Sequence, residues 1–198
     1  MTEQKAHRGL DANLLKLIAI AAMTADHIAW LLFPGYATGA LPVTLHIIGR
    51  ITCPIMCFFI AEGFHYTHDR KKYALRLLAL AVVSHFAYLF GSNSYVDWHS
   101  FIPFYYGDLL NQTGVVWSLL GGLLMLWLCE DEERGMGVKV AGVLLICLVT
   151  LPADWSCIAA LCVLSIGSNR GNPQKQIVWC LFYVAIYAVV YFFALDKL

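Results

Sequence analysis

Asp26 and His27 lie inside an apolar run, LLKLIAIAAMTADHIAWLLF, that extends from Leu14 to Phe33. A bilayer core holds no water to stabilise charge, so an ionisable pair within such a run is costly and marks a functional site. Lys16 precedes His27 by eleven residues. That is about three helical turns, which places an amine and an imidazole on one helix face, roughly 16 Å apart. Imidazole is the natural general acid or base near neutrality. Desolvation favours its neutral form, which can accept a proton from an attacking nucleophile. Asp26 cannot orient His27 from the adjacent position, because neighbouring helical side chains do not face each other. Arg50, in LHIIGRITCP, is the expected partner for that carboxylate, in a bidentate pair reaching across from the next helix. The competing reading is that Asp26, His27 and Arg50 only hold helices together.

A second constellation lies in HYTHDRKKYALRLL, where Arg70, Lys71, Lys72 and Arg76 surround Tyr73. Lys72 and Arg76 are one turn apart on a helix. Such a patch suits phosphate groups, with arginine supplying paired donors and tyrosine a stacking surface. Basic residues beside a helix end are also ordinary topogenic signals. His65 and His68 are one turn apart, but no third and fourth ligand at compatible spacing accompanies them, so no metal is expected. Glu62, in FFIAEGFHY, either neutralises the nearby basic residues or is a helix-end carboxylate near water.

The elements that must position these groups are membrane helices. The chain is 60% hydrophobic and 13% charged, with a mean hydropathy of +0.69, against a charged fraction of about 25% in soluble domains. No block of basic residues points to nucleic acid. Hydropathy predicts about seven spans in one domain over 1–198: 14–33, 47–64, 74–91, 114–129, 137–151, 155–167 and 177–195. The fifth and sixth are short, with Pro152 and Asp154 at their junction, and read either as two compact helices or as a broken hairpin. The polar tail MTEQKAHRGLDAN, with no A-x-A-like cleavage site after the first run, makes that run a retained helix. The seven cysteines contain no C-x-x-C pair and read as small core hydrophobes. Gly121–Gly122 predicts close helix packing.

Charge fixes the direction. Lys5, Arg8, Lys16, Arg70, Lys71, Lys72, Arg76, Arg134, Lys139, Arg170 and Lys175 fall on one side of these spans; only Arg50 and Lys197 of the thirteen basic residues fall on the other. The positive-inside rule therefore puts the N-terminus in the cytoplasm and the C-terminus outside. Asp26, His27, Arg50, His85 (in VVSHFAY) and Asp154 then reach similar depth toward the outer face. Groups of this kind turn toward one another or toward a wet cavity. Tyr88, Trp98, Tyr105 and Tyr106 fit an interfacial aromatic belt.

Three stretches carry a family resemblance: LKLIAIAAMTADHIAWLLFP, the block IGRITCPIMCFFIAEGFHYTHDRKKYALRLLALAVVSH, and weaker echoes in NQTGVVWSLLGG and PADWSCIAAL. In these the chain resembles the TraX family, named for the enzyme that acetylates conjugative pilin. It also looks like a distant relative of the integral-membrane acyltransferase 3 group. That group has a basic residue, ten intervening residues and a histidine in its first span, which Lys16 and His27 match. It also has a glycine-aromatic step before an arginine-rich turn, similar to Glu62-Gly63-Phe64 through Arg76. This chain departs from it in having Lys72 and Arg76 where paired arginines are usual. The chain is also shorter, so helix matching should fail beyond the third span.

The resemblance implies an enzyme of a bacterial cytoplasmic (inner) membrane. It would transfer an acetyl group from cytoplasmic acetyl-CoA to an acceptor amine or hydroxyl at the outer side: a protein N-terminus, a glycan or a small molecule. Lys16, Lys72, Tyr73 and Arg76 would hold the donor, His27 would act as base or acyl relay, Asp26 and Arg50 would fix the site, and His85 and Asp154 would lie on the acceptor side. The alternatives are a small proton-coupled transporter or proton relay built on Asp26, His27, Glu62 and His85, and a non-catalytic assembly protein. No inverted repeat is evident to favour the transporter.

Overall fold

A computed structural model describes residues 11–33, 39–91 and 113–195. Among these, the regular structure is eight α-helices: α1 (Ala12–Leu32), α2 (Ala40–Gly49), α3 (Thr52–Tyr66), α4 (Arg70–Gly91), α5 (Val116–Glu130), α6 (Met136–Thr150), α7 (Ser156–Ser168) and α8 (Pro173–Leu195). Four stretches are long and apolar enough to cross a bilayer: 12–32, 40–66, 70–89 and 173–190. The chain is an all-α, multi-pass membrane protein. Trp98, Tyr105, Tyr106, Lys5, Arg8 and Lys197 lie outside the described residues.

The second span, predicted as 47–64, begins seven residues earlier and is broken. Its apolar stretch runs from Ala40 to Tyr66, but α2 stops at Gly49 and α3 starts at Thr52. Pro54 explains the break. In an unbroken helix it would offer no N–H to the Arg50 carbonyl, and its ring would collide with that oxygen. In α3 it sits in the first turn, where a missing N–H costs nothing. Pro42 stands in the corresponding place in α2.

The chain divides into two compact units, residues 1–55 and 56–198. In the first, α1 and α2 form an antiparallel pair: Asp26 meets His46, while Ala19, earlier in α1, meets Thr52, later in the chain. The buried positions on these helices are small or cyclic, namely Ala19, Ala22, Ala29, Pro42 and Gly49. Without a hydrophobic force between helices in lipid, close backbone approach supplies the packing. The large apolar residues point away, as Leu17, Leu31 and Ile47 do, each more than 60% exposed.

The second unit is built around α5 and α7. Leu119, Leu123, Met125 and Leu126 of α5 and Ala159, Ala160, Val163 and Ile166 of α7 are buried. Gly122 makes the approach possible, since a Cβ there would lie 2.6 Å from Val163 Cβ and 2.9 Å from the Ala160 carbonyl oxygen. The Pro152 junction is a tight turn between two compact helices. Asp154 N–H donates to Thr113 O at 2.8 Å, and Ser118 Oγ donates to Ser156 O at 2.7 Å. Trp155 and Ser156 both take left-handed backbone angles, φ 62° and 48°, which non-glycine residues adopt at a cost of about 1–2 kcal/mol each. The Trp155 ring offsets part of that by stacking on Tyr187 of α8, with centroids 3.8 Å apart.

Candidate functional site

Two polar clusters stand out, one in each unit. In the first unit, Asp26 of α1 is hydrogen-bonded to His46 of α2: Nδ1 to Oδ1 is 2.7 Å, with the side chains only 13% and 15% exposed. The Trp30 ring lies 4.8 Å from the imidazole, centroid to centroid. Gly49, one turn after His46, brings the helices together at this point, because a Cβ there would lie 2.6 Å from Asp26 Cγ and 2.8 Å from Oδ1. Asp26 Oδ1 pairs with His46, one turn before the Arg50 expected as its partner, and Arg50 is the C-cap residue of α2.

Chemically this is an oriented imidazole. Facing a carboxylate, which can only accept, a neutral imidazole carries its proton on Nδ1 and presents Nε2 as its basic nitrogen. His27 faces differently. Its Nδ1 lies 2.8 Å from the Met23 carbonyl of its own helix and the ring is exposed. It too presents Nε2, but it is held by backbone rather than by a charged group. Lys16 lies four residues into α1, exposed, and α1 is unbroken between it and His27.

The second unit gathers charge where the inner ends of its helices meet. Glu62 and His65 of α3 face two different partners. Glu62 Oε1 lies 3.4 Å from Arg170 Nε in the α7–α8 turn. His65 Nδ1 lies 3.4 Å from Glu130 Oε1 at the end of α5, and Glu130 Oε2 lies 3.3 Å from Arg70 Nη2 at the start of α4. Each guanidinium also covers a ring of α3: Arg70 over Phe64 at 4.2 Å, Arg170 over Tyr66 at 4.8 Å. Desolvation works against the Arg170 charge, but hydrogen bonding and attraction to Glu62 outweigh it and raise the pKa. Glu62 therefore neutralises a basic residue, though one from the far end of the chain.

The residues expected to hold a donor are less concentrated. Lys72 is 74% exposed and pairs with Asp69 at 3.5 Å. Asp69 also caps α4, accepting from Lys72 N–H at 2.9 Å. Arg76 is exposed on the next turn. Tyr73 turns inward. Its hydroxyl reaches toward Ile60 O at 3.5 Å, and Gly63 makes room for it, since a Cβ there would come within 2.7 Å. His85 is buried in α4, 2% exposed, and Asp154 accepts from Trp155 N–H at 3.0 Å in the α6–α7 turn.

His46 is the functional candidate that sequence reasoning passes over. A second span begun at residue 47 leaves it in a loop. The available signal was LPVTLHIIGR, where His46 and Arg50 share a helix face.

Comparison with known proteins gives the chain a family and relatives. No solved structure matches the chain. A probable fimbrial assembly protein, FimC of serogroup H1, from Dichelobacter nodosus, is 31% identical over 145 residues, covering 71% of this chain and 55% of that protein. An uncharacterized protein of Rickettsia prowazekii is 40% identical over 60 residues, 30% of this chain and 21% of its own length. The chain thus spans about half, or less, of the curated relatives it matches. The family described as TraX protein matches residues 11–197, nearly the whole chain, which therefore belongs to the TraX family.

Proposed function

We propose that this chain is an acyltransferase of a bacterial cytoplasmic membrane, moving an acetyl group from cytoplasmic acetyl-CoA to an amine or hydroxyl on the outer side. The observation that carries this reading is the Asp26–His46 hydrogen bond of 2.7 Å within apolar helices. A carboxylate that fixes an imidazole tautomer is the arrangement by which general bases are held for acyl transfer. His46 Nε2 takes the proton of the acceptor as its nitrogen or oxygen attacks the thioester carbonyl. The new C–N or C–O bond forms, the C–S bond breaks, and the coenzyme A thiolate leaves and is protonated. His27, beside Asp26, lines the same helix as an exposed second imidazole, and an acyl-histidine relay through it is the variant mechanism. Lys72 and Arg76 supply positive charge for the donor phosphates. The fimbrial name of the Dichelobacter relative favours a pilus-type protein amine as acceptor.

The experiment is transfer of labelled acetyl from acetyl-CoA, in proteoliposomes, by wild type, His46→Gln, Asp26→Asn and His27→Gln. General-base removal should cost about 10²–10⁴-fold in turnover. A wild-type protein that is folded yet never consumes acetyl-CoA would move the assignment to the proton-relay reading. Full turnover in His46→Gln beside loss in His27→Gln would return the base to α1.

A further inference from the structure

A cavity opens at the inner end of α5, and none of its lining residues belongs to the polar clusters described above. Leu124, Trp127, Leu128, Asp131 and Arg134 line it, and its volume is about 230 Å³. Pockets that enclose a drug-sized ligand run to about 300–1,000 Å³, so this one suits a small polar group rather than a whole coenzyme. Leu124, Leu128 and Asp131 follow the i, i+4, i+7 spacing of one helix face, with Trp127 beside Leu128. At a rise of 1.5 Å per residue the stripe is roughly 10 Å long. It passes from side chains that belong among acyl chains to a carboxylate and a guanidinium beyond the helix end. Leu124 is 39% exposed, and Gly142 of α6 makes the space into which Leu128 packs. An indole near the end of an apolar helix is a side chain that settles at headgroup level.

The polar end of the cavity is fixed and of mixed charge. Arg134 Nε donates to Asp131 Oδ2 at 2.7 Å, and the Glu133 N–H donates to Oδ1 at 3.2 Å. The first bond uses one of the five guanidinium N–H donors; the four on Nη1 and Nη2 are of the kind that meet a phosphate in paired bonds. A carboxylate has about four acceptor sites, so an ammonium can join the two donors already on Asp131. The Trp127 ring adds attraction for an ammonium, and so does the carbonyl end of α5. The surrounding charge is selective as well. Among the described residues, the carboxylates Glu130 to Glu133 stand against the cations Arg70, Arg134 and Lys139, which leaves an excess of negative charge. A ligand of net negative charge is disfavoured there, whereas one that carries phosphate and ammonium together fits both signs.

We propose that this cavity binds the headgroup of a phospholipid with a primary ammonium, phosphatidylethanolamine. The phosphate lies on Arg134, the ammonium sits between Asp131 and Trp127, and the glycerol and acyl chains run along Leu128 and Leu124. The bound lipid ties the α5–α6 turn to the membrane surface. This site is independent of the acyl-transfer reading above.

The test is lipid binding by the full chain in detergent micelles, read by native mass spectrometry with phosphatidylethanolamine, phosphatidylcholine and phosphatidylglycerol of identical acyl chains. Phosphatidylethanolamine should bind more tightly than either of the others by about fivefold or more, because the choline methyl groups block hydrogen bonds to Asp131 and glycerol offers no cation. Trp127→Leu should weaken it by about 2–5-fold, and Arg134→Gln by about fivefold or more. Glu132→Gln/Glu133→Gln, both on the exposed turn, should strengthen phosphatidylglycerol binding and narrow the preference by about threefold. That change of selectivity is one a purely structural turn would not give, and it is readable even if Arg134→Gln fails to fold. Equal binding of the three lipids by the wild type overturns the site. So does a preference unchanged in the Trp127 and Glu132/Glu133 variants with native circular dichroism. Free phosphoethanolamine binding as tightly as the lipid assigns the cavity to a soluble ligand and overturns it too.

Discussion

Gly49→Ala is the smallest change that tests the chemistry of the first unit. On propensity alone it should help, because alanine is favoured over glycine in a helix by about 0.8–1.0 kcal/mol. The structure predicts the opposite. The new methyl would lie 2.6 Å from Asp26 Cγ and 2.8 Å from Oδ1, inside ordinary contact distance, and it would overlap Asp26 Cβ as well. Either α2 withdraws by about 1 Å or Asp26 rotates; overpacking of this kind costs about 1–3 kcal/mol. Both responses stretch the 2.7 Å bond to His46. Losing a hydrogen bond to a charged group is worth about 1.5–3 kcal/mol, and a displacement of that size can cost about 10²-fold in rate. Acetyl transfer in proteoliposomes should therefore fall about 10–100-fold, with the protein still inserted and helical. Asp26→Asn should fall comparably, and the double variant should be little worse than either alone, because both act through one bond. A Gly49→Ala protein with full turnover, or a double variant whose losses multiply, would refute the role of the Asp26–His46 pair.

Further changes test other parts of the fold. Gly122→Ala should destabilise the second unit by about 1–3 kcal/mol in reversible denaturation from mixed micelles, as its methyl must enter space held by Val163. Ser156→Gly should be neutral or stabilising by up to about 1–2 kcal/mol in the same assay, since glycine takes a φ of 48° without penalty and the carbonyl that Ser118 uses is unchanged. The turn after α5 should respond to acid. The hydrogen bond from Arg134, assisted by charge and only partly opposed by desolvation, lowers the pKa of Asp131. A depressed carboxyl stabilises the turn above its unfolded value, near pH 4, and that contribution is lost as pH falls through the lower folded value. Hydrogen exchange of the Glu133 and Arg134 amides should accelerate across that interval, and Arg134→Gln should weaken the dependence, leaving the smaller contributions of the Glu133 N–H and Lys139.

What the sequence revealed depended on whether the signal was local. Apolar runs announce membrane helices residue by residue, so α1, α4 and α8 lie close to their predicted limits. The α2–α3 break was also written locally, in Pro54, but a hydropathy average smooths over a single proline. That smoothing set the span to begin at 47 and hid His46. Asp26 was legible as a candidate residue because a carboxylate in an apolar run is conspicuous. The His46 contact was not, because Arg50 and His46 lie one turn apart and only the rotation of α2 against α1 brings His46 to Oδ1. Gly49 settles that rotation by letting α2 come closest at Asp26. Tyr73 looked like part of a basic surface from its neighbours, yet Gly63, ten residues earlier, opened the space that draws it inward. Arg170 could not have been matched to Glu62 from spacing, since their meeting depends on the order in which five helices pack.

The hub at the inner end of α3 also sets a schedule for synthesis. Arg70 and Glu130 are 60 residues apart, and Arg170 is later still. At about 5–20 residues per second, Arg70 leaves the ribosome roughly 3–12 s before its carboxylate does. During that interval α3 and α4 carry Glu62 and Arg70 without their eventual counter-charges. Such groups stay at the headgroup level, where water and lipid phosphates can neutralise them, rather than sinking into hydrocarbon. The inner ends of α3 and α4 therefore remain loose until α5 arrives, and they lock only when the α7–α8 turn has emerged. A chain cut short before residue 170 keeps Glu62 without the Arg170 partner it has in the folded protein.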